Sequence, residues 1–338
     1  MLKNVGDKKM LFMKKILKIT KIFAVLIVLG TVTSAVNISA VEINNKDFVE
    51  KSQESDFYIN DSGELISYTG NSTKVKIPKN VKKINCGAFS GHSEIQEILF
   101  SKKITCIDDY AFYGCSGLKE VILPESLKTL GRLAFGACES MEKIYIGSSV
   151  SNIMELTMCG CCSLKNIEIN PKNKHFKSID GIMCTKDGTA LLTCPLNKKG
   201  KITIPDTVVT IKECAFYDCK KIEEVCAGDN LKYIDEAAFY GCENLKTVNF
   251  GDSIKKIRAY AFANCSSLEK FNTTENLTAI GNSAFYGCQN LKEISILSNN
   301  IELGHKIFEN CSDVTIKGHS GSNSETYALK YKLPFQNV

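Results

Sequence analysis

Sixteen cysteines and four histidines are the residues of this 338-residue chain whose types and spacing could do chemistry. A thiolate beside an imidazole can attack a carbonyl, clustered thiols can hold zinc, and paired thiols can oxidise to a disulfide. Cys159-Gly160-Cys161-Cys162 is the densest group, but no second cluster completes four ligands. Cys184 and Cys194 flank a turn and could pair across it. His92, His175, His305 and His319 stand in no nucleophile or metal motif, although a Cys–His pair needs closeness only in space. Eight cysteines are instead periodic: 115, 138, 161, 219, 242, 265, 288 and 311. Neighbours in such a series face the same way, which is poor geometry for disulfides, so these eight are expected to be reduced and buried. No residue is assigned as catalytic, cofactor-binding or metal-ligating.

The periodic cysteines belong to a larger pattern, Ala-Phe-x-x-Cys-x-x-Leu. Ala111-Phe112 with Cys115 and Leu118 is one copy. Further copies begin at Ala134, Thr157, Ala215, Ala238, Ala261, Ala284 and Ile307, and Ala88-Phe89 has His92 in the Cys position. The aromatic position falls at 89, 112, 135 and 158 (Met), then at 216, 239, 262, 285 and 308. Each step is 23 residues except one of 58. A fixed period of this length marks a solenoid, because one coil cannot bury its apolar side alone and stacked coils can. Within a coil, Leu118-x-x-Val121-x-Leu123 alternates as a strand does, and Pro124 ends it. Leu127 and Leu130 turn inward again before the Ala-Phe turn closes the coil.

This pattern resembles the BspA-like leucine-rich repeats (23-residue coils with IP-x-x-V-x-x-I-x-x-x-AF-x-x-C-x-x-L). The resemblance covers about residues 75–317. It implies a leucine-rich-repeat β-solenoid: short parallel strands with turn or short-helix returns, capped at both ends.

The remaining segments read as follows. Residues 1–40 carry a Lys-rich start and an apolar run, Ile22 to Val36, which fit a signal peptide cleaved after Ala35 or Ala40. The membrane would be met only through that segment if it stayed uncleaved. Residues 41–74 are a polar lead followed by a hairpin, Phe57 to Tyr68, that caps the first coil. The long step is expected to hold a hairpin insertion at about 171–200, with its turn at Lys186-Asp187-Gly188, inside one continuous solenoid; BspA-like proteins often carry a similar segment. A boundary between two separate domains is the alternative. Residues 318–338, with a helix from Ser324 to Lys332, look like the family's closing segment and form the C-terminal cap.

Formal net charge is +5, but the basic start carries it. Residues 1–35 hold seven Lys and one Asp; without them 35 basic and 36 acidic residues remain. Nothing in that balance points to nucleic acid.

The outward strand position reads, coil by coil, Leu99, Ile122, Tyr145, Glu168, Cys226, Asn249, Asn272 and Ser295. Leu99, Ile122 and Tyr145 are successive and apolar, so they form a candidate partner-binding row; ordinary cross-strand packing of β-formers is the plainer reading. The charged positions just before the row mix signs, as a solvated face does. The expectation is an exported or cell-surface repeat protein that binds another macromolecule and is not an enzyme. Resemblance to BspA-like proteins implies adhesion to an extracellular or host protein or a cell surface. The alternatives are a structural envelope or secreted protein without a host ligand, and an enzyme with a hidden Cys–His site.

Overall fold

The computed structural model describes residues 54–338. The expected signal segment and nearly all of the polar lead lie outside the described residues. Each coil contributes two short parallel strands and one corner. In one coil these are the strand Glu120–Ile122, the strand Thr129–Leu130, and the corner from Gly131 to Cys138. Alternation sets the first strand: Val121 is fully buried while Ile122 faces out. Pro124 follows, and its carbonyl accepts the Leu127 N–H at 3.0 Å, turning the chain back. Pro78 and Pro205 make the same turn to Val81 and Val208.

The two-residue strands stack in register into sheets of their own. Lys83–Ile84, Cys106–Ile107, Thr129–Leu130 and Asn152–Ile153 pair in parallel in the first half. Thr210–Ile211 through Glu302–Leu303 do so in the second. The returns are therefore turns and a second strand. Among the described residues the only α-helix is Asn323–Tyr331. Left-handed backbone explains why the corners do not become helices. Each corner carries it twice, four residues apart, as at Tyr110 (φ 57°) and Gly114 (φ 73°). A right-handed helix cannot run through such positions.

Between its two left-handed residues each corner points a Phe inward. Phe89, Phe112 and Phe135 stack at 4.8 and 5.1 Å, within 10° of parallel. Phe216, Phe239, Phe262, Phe285 and Phe308 stack at 4.7 to 5.8 Å. The Phe N–H donates forward to the Ala carbonyl of the next coil, as Phe112 does to Ala134 at 2.8 Å. The Phe carbonyl accepts the Cys N–H of its own corner and the Cys thiol of the next. Cys115, Cys138, Cys161, Cys242, Cys265, Cys288 and Cys311 reach the Phe carbonyl 26 residues earlier at 3.0 to 3.3 Å.

Both ends of the stack are covered. Phe57–Ile59 and Glu64–Tyr68 form an antiparallel hairpin that continues in parallel onto Lys83–Ile84. The Tyr68 ring lies 5.1 Å from Phe89. His92, in the Cys position, meets the Tyr68 carbonyl through Nε2 at 3.1 Å, the job a thiol does elsewhere. At the far end Ser322 caps the helix Asn323–Tyr331, its hydroxyl accepting the Glu325 N–H. Tyr327 sets its ring edge-on to Phe308 at 6.1 Å, and its hydroxyl accepts the Ile307 N–H at 2.8 Å.

The long step holds three antiparallel strands rather than one hairpin: Phe176–Ile179, Ile182–Thr185 and Ala190–Thr193. Ile179 to Cys184 is not one strand, because Asp180 (φ 49°) and Gly181 (φ 74°) turn left-handed between them, the geometry Asp-Gly favours in a hairpin. The second turn is tied by Asp187, whose Oδ1 accepts from Thr185 Oγ1 and from the Thr189 N–H and hydroxyl. Ala190–Thr193 then rejoins the stack in parallel with Thr210–Ile211. The buried apolar side chains form two clusters that meet here, Met183 belonging to the first and Ile182 and Cys184 to the second.

Removing one ring or one thiol should cost different amounts. Phe262→Ala, between rings at 5.1 and 5.3 Å, should lose about 3–5 kcal/mol. Cys265→Ala should lose about 1–2 kcal/mol. Cys162→Ala, at an exposed cysteine, should stay within about 0.5 kcal/mol of wild type. Urea unfolding followed by circular dichroism checks the order.

Candidate partner-binding face

The outward row is built by the pleat of the longer strands. Ile122 pairs with Tyr145 and Tyr145 with Glu168, in register. Leu99 pairs with Lys76 on the other side. The strand holding Leu99 neighbours the one holding Ile122 through the Lys119 N–H to Gln96 carbonyl bond at 3.4 Å. The structure therefore places Leu99, Ile122 and Tyr145 on consecutive coils, with Lys76 before them and Glu168 after. Ile122 is 46% exposed; Leu99 and Tyr145 are half-buried.

Tyr145 is held by a polar cluster that the sequence did not reveal. Its hydroxyl donates to Glu125 Oε1 at 3.3 Å. Glu125 also accepts from the Ser148 N–H and hydroxyl, both at 2.6 Å, and from Asn170 Nδ2 at 2.9 Å. Burial raises the Glu125 carboxyl, but the bonds from Ser148, Asn170 and Tyr145 outweigh it and leave the group below its ordinary value. The residues come from three coils at separations of 23 and 45, so the repeat period was the only signal for them.

The charges beside the row are paired between coils. Lys143 Nζ lies 2.9 Å from Glu168 and 3.7 Å from Glu120. Lys74–Glu97, Lys165–Glu142, Lys201–Glu224 and Lys270–Glu293 repeat the arrangement. Opposite charges 23 residues apart thus become rungs on the surface. Each exposed pair contributes little to stability, and together they leave no field of one sign. In the second half the outward row is polar: Thr203, Cys226 and Asn249 in register, then Asn272, Ser295 and Lys317. Asn249 Nδ2 donates to Glu224 at 3.2 Å, and Cys226 does so at 3.1 Å.

The groups with chemical potential are not gathered. All sixteen cysteines are free. Burial pushes the Cys115 thiol up to about 12 and the Cys184 and Cys311 thiols up to about 11, and raises Cys106 and Cys162 as well. Such thiols are poor nucleophiles at neutral pH. His305 Nδ1 meets the Tyr331 hydroxyl at 3.4 Å, His319 Nδ1 meets the Val338 carbonyl at 3.2 Å, and His92 Nδ1 meets Glu94 at 2.7 Å. Among the described residues no histidine ring is hydrogen-bonded to a cysteine, and no three His, Cys, Asp or Glu side chains are placed to hold a metal ion. No helix among them is long and apolar enough to cross a membrane.

A family model for the BspA type leucine-rich repeat region matches residues 62–179 and 193–315, in six copies. The chain belongs to the BspA-type leucine-rich repeat family. The two matched spans stop and restart within the insertion, leaving out residues 180–192. Solved structures share the fold. The pneumococcal vaccine antigen PcpA is 22% identical, with a TM-score of 0.62 over 83% of this chain and 81% of that one. A leucine-rich cell surface protein from Faecalibacterium prausnitzii is 21% identical, with a TM-score of 0.56 over 80% and 94%. A leucine-rich repeat protein from Eubacterium ventriosum is 24% identical, with a TM-score of 0.53 over 71% and 77%. Comparison with curated proteins found no match.

Asp218 carries a perturbed carboxyl that is structural. It stands at a left-handed corner position (φ 55°), where most other coils have Gly or Asn. Burial pushes its pKa up to about 6, with Lys220 pulling down and Glu243 adding slightly. A raised carboxyl favours the folded state when protonated. That contribution is full below about pH 4 and is lost as pH rises through about 6. Asp218→Asn should therefore match wild type near pH 3.5 and exceed it by about 1–3 kcal/mol at pH 7. Thermal unfolding across that range measures it.

Proposed function

We propose that this chain is an exported, surface-located, non-enzymatic repeat protein that binds another macromolecule through the row Leu99, Ile122 and Tyr145. The observation that carries the reading is the contrast between the two halves of one repeating face. The outward position tolerates Thr203, Asn249, Asn272 and Ser295 in the second half, so the coil itself does not require an apolar side chain there. In the first half three consecutive coils carry one, with Ile122 the most exposed. A contiguous apolar row rimmed by paired charges is the anatomy of an interaction surface. Glu125 fixes the Tyr145 ring, which lowers the entropy lost when a partner settles on it.

Membership of the BspA-type family and the likeness to a leucine-rich cell surface protein support a surface location. Raised thiols and unpaired chemistry among His and Cys support a non-enzymatic role. The partner class is an extracellular protein or a cell-surface protein, met through an apolar and aromatic patch; the balanced charge of the chain beyond residue 35 gives no handle for nucleic acid.

Ile122→Asp should leave the unfolding midpoint nearly unchanged, Tyr145→Asp should lower it modestly because its carboxylate would face Glu125, and both should weaken partner binding by about tenfold or more. Immobilised extracellular-matrix proteins and intact cells, titrated with the full-length secreted protein and the two variants, give the readout. Saturable binding that the variants retain in full would place the interface elsewhere.

A further inference from the structure

The insertion leaves the stack one corner short. Met158 is followed, in the next coil, by a turn at Cys194-Pro195 with no Ala-Phe corner. Cys194 takes the backbone role of a Phe, its N–H donating to the Ala215 carbonyl at 2.7 Å, but it brings no ring and no left-handed pair. A cavity of about 320 Å³ opens where that corner would stand, between the corners at Leu156–Gly160 and Cys214–Asp218. This is within the size range of small-ligand pockets.

Two sets of polar groups are left at the gap. One coil earlier, Phe135 N–H donates to the Thr157 carbonyl at 2.9 Å and Ala137 N–H to the Cys159 carbonyl at 2.8 Å. The same two positions one coil on are Met158 and Gly160, and among the described residues their N–H groups meet no acceptor. On the facing corner Tyr217 lines the cavity, is 5% exposed, and has a hydroxyl without a hydrogen-bond partner. Such groups are costly when buried and unpaired. Its ring stacks on Tyr240 at 5.1 Å and 5°, so Tyr217 ends a short aromatic column at the gap. The far end of the solenoid has the same need and meets it: Tyr327 of the cap accepts the Ile307 N–H and covers Phe308. At the insertion nothing in the described chain does.

Most of the wall is apolar, from Met154, Leu156, Phe176, Met183, Leu192 and Leu196, with Thr157, Thr193 and Glu213 also on it. The rim charges are already matched, Lys212 to Asp235 at 3.5 Å and Glu155 to Arg132 at 3.3 Å, so no unmatched cation is offered to a carboxylate. The gap presents two donors, the Met158 N–H and the Tyr217 hydroxyl, and a mainly apolar wall, which suit a neutral molecule with carbonyl oxygens and a ring.

We infer that this seam is a binding site for a neutral peptide unit bearing an aromatic residue, the chemistry of the one Ala-Phe corner the stack lacks. Its carbonyls would take the Met158 N–H and the Tyr217 hydroxyl, and its ring would lie among the methionines and leucines. The site is separate from the outward row and does not depend on what that row binds.

The test uses the full chain and the blocked dipeptide N-acetyl-alanyl-phenylalaninamide. Amide resonances of ¹⁵N-labelled protein are followed during titration, with N-acetyl-alanyl-alaninamide as the ringless control. Saturable shifts at Met158 and Tyr217, absent with the control, are expected. Tyr217→Phe deletes only an unpaired hydroxyl, so it should fold with unchanged or higher stability and bind about three- to tenfold more weakly. Shifts confined to other residues, an equal response to the ringless control, or unchanged affinity in Tyr217→Phe would each overturn the inference. So would the absence of any saturable shift up to the solubility limit of the dipeptide.

Discussion

A buried thiol bonded to the carbonyl of the coil before it is the interaction on which this solenoid depends. Phe112 shows the arrangement: its N–H goes forward to Ala134, and its carbonyl accepts the Cys115 N–H and the Cys138 thiol. The peptide group of every stacked Phe but the last, Phe308, is thus satisfied on both sides without water, which a dry core requires. Cysteine suits the position because it is small, apolar enough to bury, and still a weak donor. The left-handed residues at each side of the Phe set the corner's angle so that ring, thiol and carbonyl recur at one spacing. The coil tolerates variation almost everywhere else.

Where the rung is interrupted, the structure changes character. Met158 replaces a ring, and the three antiparallel strands that follow bring the chain back with Cys194 in the Phe position. Both sheets stop and restart there, and the buried side chains divide into two clusters. The caps show what an end of the stack needs: Tyr68 with His92 at one end, Tyr327 at the other. Surface charges follow the same logic at lower stakes, each coil offering a lysine or a carboxylate to its neighbour.

Much of this was legible in the sequence because a period is a strong constraint. The 23-residue step located every corner, the inward strand residues and the outward row, and the family model matches the same region. The second row of strands was not legible, since two residues such as Thr129 and Leu130 carry no alternation to read. The left-handed positions were hidden wherever Leu133, Ala137 or Lys306 stands in place of glycine, because stacking there overrides local preference. The turn at Asp180-Gly181 was readable from its dipeptide but was masked by the apolar residues on both sides. The Glu125 cluster and the lysine–carboxylate rungs join residues a whole coil apart, and single-coil reading does not pair them. The cavity followed from the 58-residue step only once the missing corner could be seen against its neighbours.

Site-resolved thiol labelling of the native protein, read by mass spectrometry without reductant, tests the central claim most directly. The account requires Cys86, an exposed thiol, to label fast, while Cys138, Cys242, Cys265 and Cys288 stay unlabelled until the chain is unfolded and then label as free thiols. Ladder cysteines that label as fast as Cys86 would contradict it. So would ladder cysteines that remain blocked after unfolding because they are joined as disulfides.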